Sequence, residues 1–304
     1  KEHGIDVILA VGGGSVLDCS KAIAAGACYE GETWDLITGK AKAKAALPLV
    51  DIITLAATGS EYDCGCVISR TETTDKIGYN DEHLFPVTSL LDPRYTFSVS
   101  KKQTAAGAAD AINHIMEQFF CGAHSDLADG MCLSAIRSLI RNAKIALEKP
   151  EDEAARGEFM VDCSLACNGI LSIGNSPSGW PCHGIEHALS AYYDITHGEG
   201  LAILTPRWMR HILNDKTEER FVRFGTGVFG IDGHLPAREI AEKTIDMTYD
   251  LFASFGMPMH LRDVGIDEGR LSEMAHHIAE NEGLDHAWAP LTEDDILSIL
   301  RASM

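Results

Sequence analysis

The sequence predicts an α/β domain at residues 1–98, followed by an all-helical domain at residues 99–304. In the first part, continuous apolar runs of strand length alternate with loops and one clear helix. This pattern is typical of a mainly parallel sheet covered on both faces. In the second part, apolar residues recur every three or four positions, as in helices with one buried face. A chain of 304 residues is long enough for two such domains, each with its own core.

The α/β part contains one helix and several strands. The helix follows a glycine turn in the segment GGGSVLDCSKAIAAGA, which begins at residue 12. Two of the strands are short and are joined by the polar turn TETTD, as in a hairpin. In chain order, the predicted strands are IDVILAV, LPLVDIITLAA, CGCVISR, DKIGYN and PVTSLLDP, which ends at Pro93.

The second part is a series of amphipathic helices separated by stop signals. Pro150 and the run Gly256-Met257-Pro258 each end a helical pattern, and Thr292 with Asp295 forms a capping box before the last helix. The predicted helices are TAAGAADAINHIMEQFF, SDLADGMCLSAIRSLIRNAKIALE, EDEAARGEFMVDCSLACNGIL, HGIEHALSAYY, REIAEKTIDMTYDLFASFG and TEDDILSILRAS.

Charge and composition exclude several classes of function. The chain has 25 basic and 45 acidic residues, and a net charge of −20 repels nucleic acid and anionic membranes. The apolar runs are shorter than a membrane span, and the first residues lack the features of a signal peptide. The nine cysteines are irregularly spaced and form no CxxC pair, which indicates buried thiols in a reducing compartment. We therefore expect a cytoplasmic protein without nucleic-acid or membrane partners.

A glycine turn, Gly12–Gly14, separates the first strand from the first helix. Glycines let a phosphate approach the backbone closely, and the N-terminus of the helix offers free N–H groups to an anion. The alternative is a plain tight turn in which Ser15 and Asp18 form a capping box. Three hydroxyl residues, Thr54, Thr58 and Ser60, follow the second long strand, where ligands bind in open α/β sheets. The alternative there is an ordinary polar loop.

Histidines and one aspartate recur at helical spacing in the second part. Asp110 and His114 are four residues apart, as are His183 and His187, so each pair shares one face of a helix. His197 follows in a predicted loop. Imidazole and carboxylate ligands together suit Zn²⁺ or Fe²⁺.

The segment HGIEH also matches the H-x-x-E-H signature of a class of metalloproteases. On that interpretation His183 and His187 both bind zinc, and Glu186 activates a water molecule. Asp110, His114, His197 and the glycine turn would then have no role.

The chain resembles the iron-containing (group III) alcohol dehydrogenases, and among them the butanol dehydrogenase-like branch. The resemblance covers almost the whole chain in order, and its most specific segment is HGIEHALSAYYDITHGEGLAIL. The other segments are GGGSVLDCSKAIA, TLAATGSE, DKIGYN, LLDPRYT, QTAAGAADAINHIMEQFF and LTEDDILSIL.

The resemblance implies a homodimeric, NAD(P)-linked oxidoreductase that interconverts small primary alcohols, such as butanol, and their aldehydes. It implies a divalent metal, Fe²⁺ or Zn²⁺, and a catalytic His187 that lies beside the metal without binding it. The implied metal ligands are Asp110, His114, His183 and His197. The implied cofactor is NADH or NADPH. Thr54 and Thr58 would lie around it, and Lys76 would contact its ribose. Its pyrophosphate would bind at Gly13, Gly14, Ser15 and Asp18.

Family members carry a further Rossmann-like segment before the GGGS strand, and we expect this chain to start after that segment. The nucleotide-binding domain would then be partial, and it would lack the position that separates NAD from NADP in the family. Two further alternatives stay open beside the protease. One is a polyol oxidoreductase like the glycerol dehydrogenases, whose cofactor site is shared with the sugar-phosphate cyclases. The other is a module that binds nucleotide without turnover.

Overall fold

A computed structural model describes residues 3–73, 75–175 and 179–304. The chain forms two compact units: Lys1–Ala111 with Arg141–Ile170, and Ile112–Ile140 with Leu171–Met304. The division between the units falls inside two long helices, Lys101–Phe119 and Asp126–Glu148, so each of these helices belongs to both units. The boundary predicted at residue 98 stays a prediction.

The first unit contains the strands, which are β1 (Ile8–Gly12), β2 (Leu49–Ile53), β3 (Gly65–Arg70), β4 (Asp75–Asn80) and β5 (Thr88–Leu90). Three of them form a parallel sheet in the order β1-β2-β5. The other two, β3 and β4, form an antiparallel hairpin in which Arg70 is opposite Asp75. Thr74, in the predicted TETTD turn, lies outside the described residues. All five predicted strands are confirmed.

The prediction that the parallel sheet is covered on both faces is wrong for the described residues. Along β1, Leu9 and Val11 are 61% and 52% exposed, whereas Ala10 is buried. Helix α1 (Gly14–Ala27) contacts β1 and buries Leu17 completely. Among the described residues, therefore, the sheet is covered where α1 packs, and alternate side chains of β1 on the other face are exposed.

The remaining helices are α2 (Thr33–Ile37), α3 (Lys101–Phe119), α4 (Asp126–Glu148), α5 (Glu153–Cys167), α6 (Pro181–Tyr193), α7 (His197–Ile212), α8 (Glu218–Phe224), α9 (Ala237–Ser254), α10 (Leu271–Asn281) and α11 (Glu293–Ala302). The six predicted helices correspond to α3, α4, α5, α6, α9 and α11. The predicted capping box of α11 is present, because Thr292 and Asp295 each accept from the other's backbone N–H. Four helices, α2, α7, α8 and α10, were not predicted. Within the described residues, no helix combines the length and the apolar character that crossing a membrane requires.

Helix α3 is buried on all sides from Thr104 onward. Its first half is rich in alanine, which lets neighbouring elements approach closely. Gly107 is the tightest point, because a Cβ there would lie 2.4 Å from the backbone oxygen of Ala56. Such complete burial fixes the rotation of α3, and with it the direction of every polar side chain on the helix.

A buried arginine closes the C-terminal end of α3. Arg220 donates to both carboxylate oxygens of Asp129, at 2.5 and 2.8 Å, and to the backbone oxygen of Phe119. Its guanidinium also lies 3.9 Å from the centre of the Phe119 ring. A cation at the C-terminus of a helix offsets the partial negative charge of the free carbonyls. Arg220 thus ties α3 to α4 and α8.

The parallel sheet contains a buried acid whose pKa is strongly shifted. Asp51, in β2, is 0% exposed, and burial raises its pKa from 3.8 to about 6. Its neighbour Ser89 has an Oγ 2.9 Å from Asp51 Oδ2 and 2.7 Å from the backbone oxygen of Glu61. One hydroxyl hydrogen cannot serve both acceptors. A protonated Asp51 carboxyl can donate to the hydroxyl oxygen of Ser89, and the Ser89 hydroxyl can then donate to the backbone oxygen of Glu61.

We predict that Asp51→Asn removes a pH-dependent loss of stability. The folded state holds the proton of Asp51 more tightly than the unfolded state, so wild-type stability should fall as pH rises from about 4 to about 6. An asparagine can donate to Ser89 at every pH, so the variant should gain about 2 kcal/mol over the wild type across that window. Urea unfolding at a series of pH values measures the difference. The exposed Asp6→Asn is the control, and parallel curves for wild type and Asp51→Asn would refute the prediction.

Candidate metal centre and glycine turn

Three helices supply the residues of the candidate metal centre. Helix α3 carries Asp110 and His114 one turn apart, and α6, which begins at Pro181, carries His183 and His187 in the same relation. His197 is the first residue of α7, not part of a loop as predicted. Asp194 adopts a left-handed conformation, with φ of 53°, and ends α6 so sharply that α7 starts three residues later. This local reversal was not recognised in the sequence.

Asp110, His183 and His197 come together. One ligand atom from each lies within 4.8 Å of the others. Asp110 and His183 are buried, whereas the side chain of His197 is 27% exposed. Asp110 is on the same continuous helix as His114, so helix geometry fixes its place near this group. One carboxylate and two imidazoles at this separation fit Zn²⁺ or Fe²⁺.

Each imidazole of this group is backed by a buried carboxylate. Glu117, one turn beyond Asn113 on α3, pairs with Nδ1 of His183 and accepts the backbone N–H of Cys182 at 2.6 Å. Its side chain is 0% exposed. A carboxylate at Nδ1 fixes the tautomer and the ring orientation and leaves Nε2 as the atom that can bind a metal. Glu117 was not singled out in the sequence.

Glu186, the central acid of HGIEH, backs the second imidazole. It pairs with Nδ1 of His197 and accepts from the hydroxyl of Ser190. Its side chain is also 0% exposed, and Gly200 gives it room, since a Cβ there would lie 2.7 Å from Glu186 Cγ. A protease would need this carboxylate to activate a water molecule, but it is buried and occupied. The metalloprotease alternative is therefore not favoured.

The other two histidines lie beside the group of three. The ring of His114 stacks on that of His183, with centroids 4.7 Å apart, and meets Trp180 edge-on. His187 lies 5.9 Å from His197 between ring centroids, and its Nδ1 is 3.7 Å from Glu282 Oε1. The predicted roles, a fourth ligand for His114 and catalysis for His187, stay predictions.

The glycine turn has the geometry of a tight strand-to-helix junction. β1 ends at Gly12 and α1 begins at Gly14, with no side-chain cap at Gly13. A Cβ on Gly14 would lie 2.6 Å from Cγ2 of Thr58, so glycine is required where these segments meet. The backbone N–H of Thr54 donates to the oxygen of Gly12 at 3.0 Å. Thr54 and Thr58 thus lie beside the turn.

The capping-box alternative for this turn is wrong. Asp18 accepts from the hydroxyl of Ser60 at 2.7 Å and from the backbone N–H of Val67 at 2.9 Å, so it holds the loop after β2 and the start of β3. Ser15 is left exposed at the start of α1. Lys76, the predicted ribose ligand, is half-buried in β4 opposite Ser69.

Comparison of the sequence with known proteins identifies the family to which the chain belongs. Residues 1–93 match the family described as iron-containing alcohol dehydrogenase, and residues 104–304 match the C-terminal part of the same family. The chain belongs to the iron-containing alcohol dehydrogenase family. Members of this family use a divalent metal with NAD(H) or NADP(H).

The chain is similar in sequence or structure to several butanol dehydrogenases and aldehyde reductases. It is 47% identical to NADH-dependent butanol dehydrogenase A of Clostridium acetobutylicum, over all of this chain and 78% of the relative. It is 33% identical to the NADPH-dependent aldehyde reductase YqhD of Escherichia coli, over 92% of this chain and 73% of the relative. The crystal structure of NADH-dependent butanol dehydrogenase A from Thermotoga maritima matches with a TM-score of 0.94 and 35% identity, over all of this chain and 77% of that one. The predicted fold class, a Rossmann-like α/β part followed by a helical part, is confirmed.

We predict different effects of two substitutions on one helix. His183→Ala removes a predicted metal ligand, so metal content and activity should fall together. His187→Ala removes no predicted ligand, so metal content should stay near that of the wild type while the rate and its pH dependence change. Metal stoichiometry and aldehyde-reduction rate measure both. Equal loss of metal in the two variants would show that His187 is a ligand.

We also predict that each backing carboxylate supports metal affinity. Glu117→Gln and Glu186→Gln keep the side-chain shape but weaken the hold on Nδ1, so metal affinity should drop by about 10–100-fold in each. Competition with a chelator measures the affinity. Glu239→Gln, on the exposed face of α9, is the matched control. Unchanged affinity in both buried variants would mean that the carboxylates do not support the metal ligands.

Proposed function

We propose that the chain is an NAD(P)-linked alcohol dehydrogenase and aldehyde reductase that acts on small primary alcohols such as butanol. The observation that carries the proposal is the group Asp110, His183 and His197, with both of its imidazoles backed by carboxylates, in a member of the iron-containing alcohol dehydrogenase family. The names of the butanol dehydrogenase and aldehyde reductase relatives support the same substrate class. The polyol alternative is not favoured.

Four residues would hold the metal in this proposal: Asp110, His114, His183 and His197. A bound divalent ion supplies a Lewis acid for the alcohol or aldehyde oxygen. His114 completes the set from the same helix face as Asp110, one turn further on. Glu117 and Glu186 keep the rings of His183 and His197 in the orientation that presents Nε2.

His187 would move the proton that accompanies hydride transfer. Its side chain is 16% exposed and lies within 3.7 Å of Glu282, which is 26% exposed. An imidazole changes charge near neutral pH, so it can accept the alcohol proton and pass it outward. In aldehyde reduction the proton travels the opposite way.

The glycine turn would bind the cofactor. The N–H groups at the start of α1, with Gly13, Gly14 and Ser15, receive the pyrophosphate. Thr54 and Thr58 would surround the cofactor, and Lys76 would contact its ribose. Asp18, which accepts from the hydroxyl of Ser60, would also lie at the pyrophosphate. A bound nicotinamide cofactor would supply or accept the hydride of the carbon that bears the substrate oxygen.

We further propose a cytoplasmic homodimer without nucleic-acid or membrane partners. The nine cysteines are all free, and burial raises the pKa of several of their thiols, which supports a reducing compartment. The net charge of −20 supports the lack of polyanionic partners.

We predict that kcat/KM for aldehydes rises by about fourfold per methylene from two to four carbons. Each buried methylene contributes about 0.8 kcal/mol, which corresponds to that factor. Steady-state rates on aldehydes of two to six carbons, each with NADH and with NADPH, give the ranking. Glycerol oxidation, measured beside butanol oxidation, is the control. A strong preference for a polyol or a sugar phosphate would contradict the proposal.

A further inference from the structure

A cavity of about 450 Å³ lies among α7, α9 and α11, and the proposed reaction does not use it. Arg207 lines it and lies ten residues after His197 on α7, about 15 Å along the helix axis. The cavity is therefore separate from the candidate metal centre. Its volume is in the range of small-ligand sites in proteins.

Arg207 is the one cation of this cavity whose charge is not matched nearby, as far as the structure describes the chain. Its Nη1 donates to the backbone oxygen of Ile203 at 3.1 Å, and its guanidinium lies 5.1 Å from the centre of the Tyr249 ring. The side chain of Tyr249 also forms a hydrogen bond with it, and among the described residues Asp263 acts on its charge without forming a salt bridge with it. Burial lowers the pKa of Arg207, as expected of a partly desolvated cation.

The neighbouring charges are already paired. Arg210 donates to Asp246 at 2.6 Å, and both line the cavity. Nε2 of His211, also a lining residue, is 3.0 Å from Asp295. Of these three lining cations, Arg207 is therefore the one without a carboxylate in a salt bridge among the described residues, and an incoming anion would pair with it and not with Arg210 or His211.

The rest of the wall is largely apolar. Pro206, Ile245 and Ile299 are buried and line the cavity together with Ala302. A guanidinium beside an aliphatic wall suits a ligand with an anionic head and a short hydrocarbon tail. A planar carboxylate matches the fork of guanidinium N–H groups.

We propose that this cavity binds a small aliphatic carboxylate, with Arg207 on the carboxylate and the wall of Pro206, Ile245, Ile299 and Ala302 against its chain. The site does not depend on the metal, the cofactor or the proposed reaction.

Calorimetric titration of the full chain with hexanoate tests the proposal. We expect saturable binding at one site, and binding of hexanamide, which has the same chain and no charge, weaker by at least about tenfold. Arg207→Gln should weaken hexanoate binding by a similar factor. The matched control is Arg210→Gln, which removes an arginine that Asp246 already pairs and should change binding by less than about threefold.

Hexanoate binding to His183→Ala distinguishes binding at this cavity from binding at the metal centre. If hexanoate binds at the cavity, its affinity for that variant should equal its affinity for the wild type. Loss of binding in His183→Ala would overturn the proposal, because the carboxylate would then be binding at the metal. Absence of saturable binding, equal binding of hexanamide, or unchanged binding in Arg207→Gln would each overturn it as well.

Discussion

Two buried carboxylates, each paired with an imidazole, hold the candidate metal centre together: Glu117 with His183, and Glu186 with His197. Burying an unpaired carboxylate costs free energy of folding. Each glutamate and its histidine therefore fix one another's position. The first pair joins α3 to α6, and the second joins α6 to α7. The ring orientations are therefore set by the protein fold, with Nε2 of each ring directed away from its carboxylate.

The burial of α3 makes these pairs possible. Its alanine-rich first half and Gly107 allow close packing, and Arg220 binds its C-terminal end to Asp129. A helix fixed in this way cannot rotate, so Asp110 and Glu117, two turns apart, keep their separate positions. The fold and the site are thus connected through one helix, in which residues that provide packing alternate with residues that provide chemistry.

The sequence predicted those parts of the site that depend on local spacing. Four-residue intervals placed Asp110 with His114 and His183 with His187, and the glycine run placed the junction of β1 and α1. The sequence did not predict contacts between residues that are distant in the chain. Glu117 meets His183 across 66 residues, and nothing local to either of them signals the contact. Likewise, the start of α7 at His197 depends on a single left-handed residue, Asp194, which spacing does not reveal.

Anomalous diffraction at the metal absorption edge, on crystals of the protein purified without added metal, tests the metal centre most directly. Our account predicts one strong peak within about 2.0–2.2 Å of Nε2 of His183, Nε2 of His197 and a carboxylate oxygen of Asp110. A peak bonded to Nδ1 of either ring, a peak at His183 and His187 without Asp110, or no transition-metal peak at this group would contradict it.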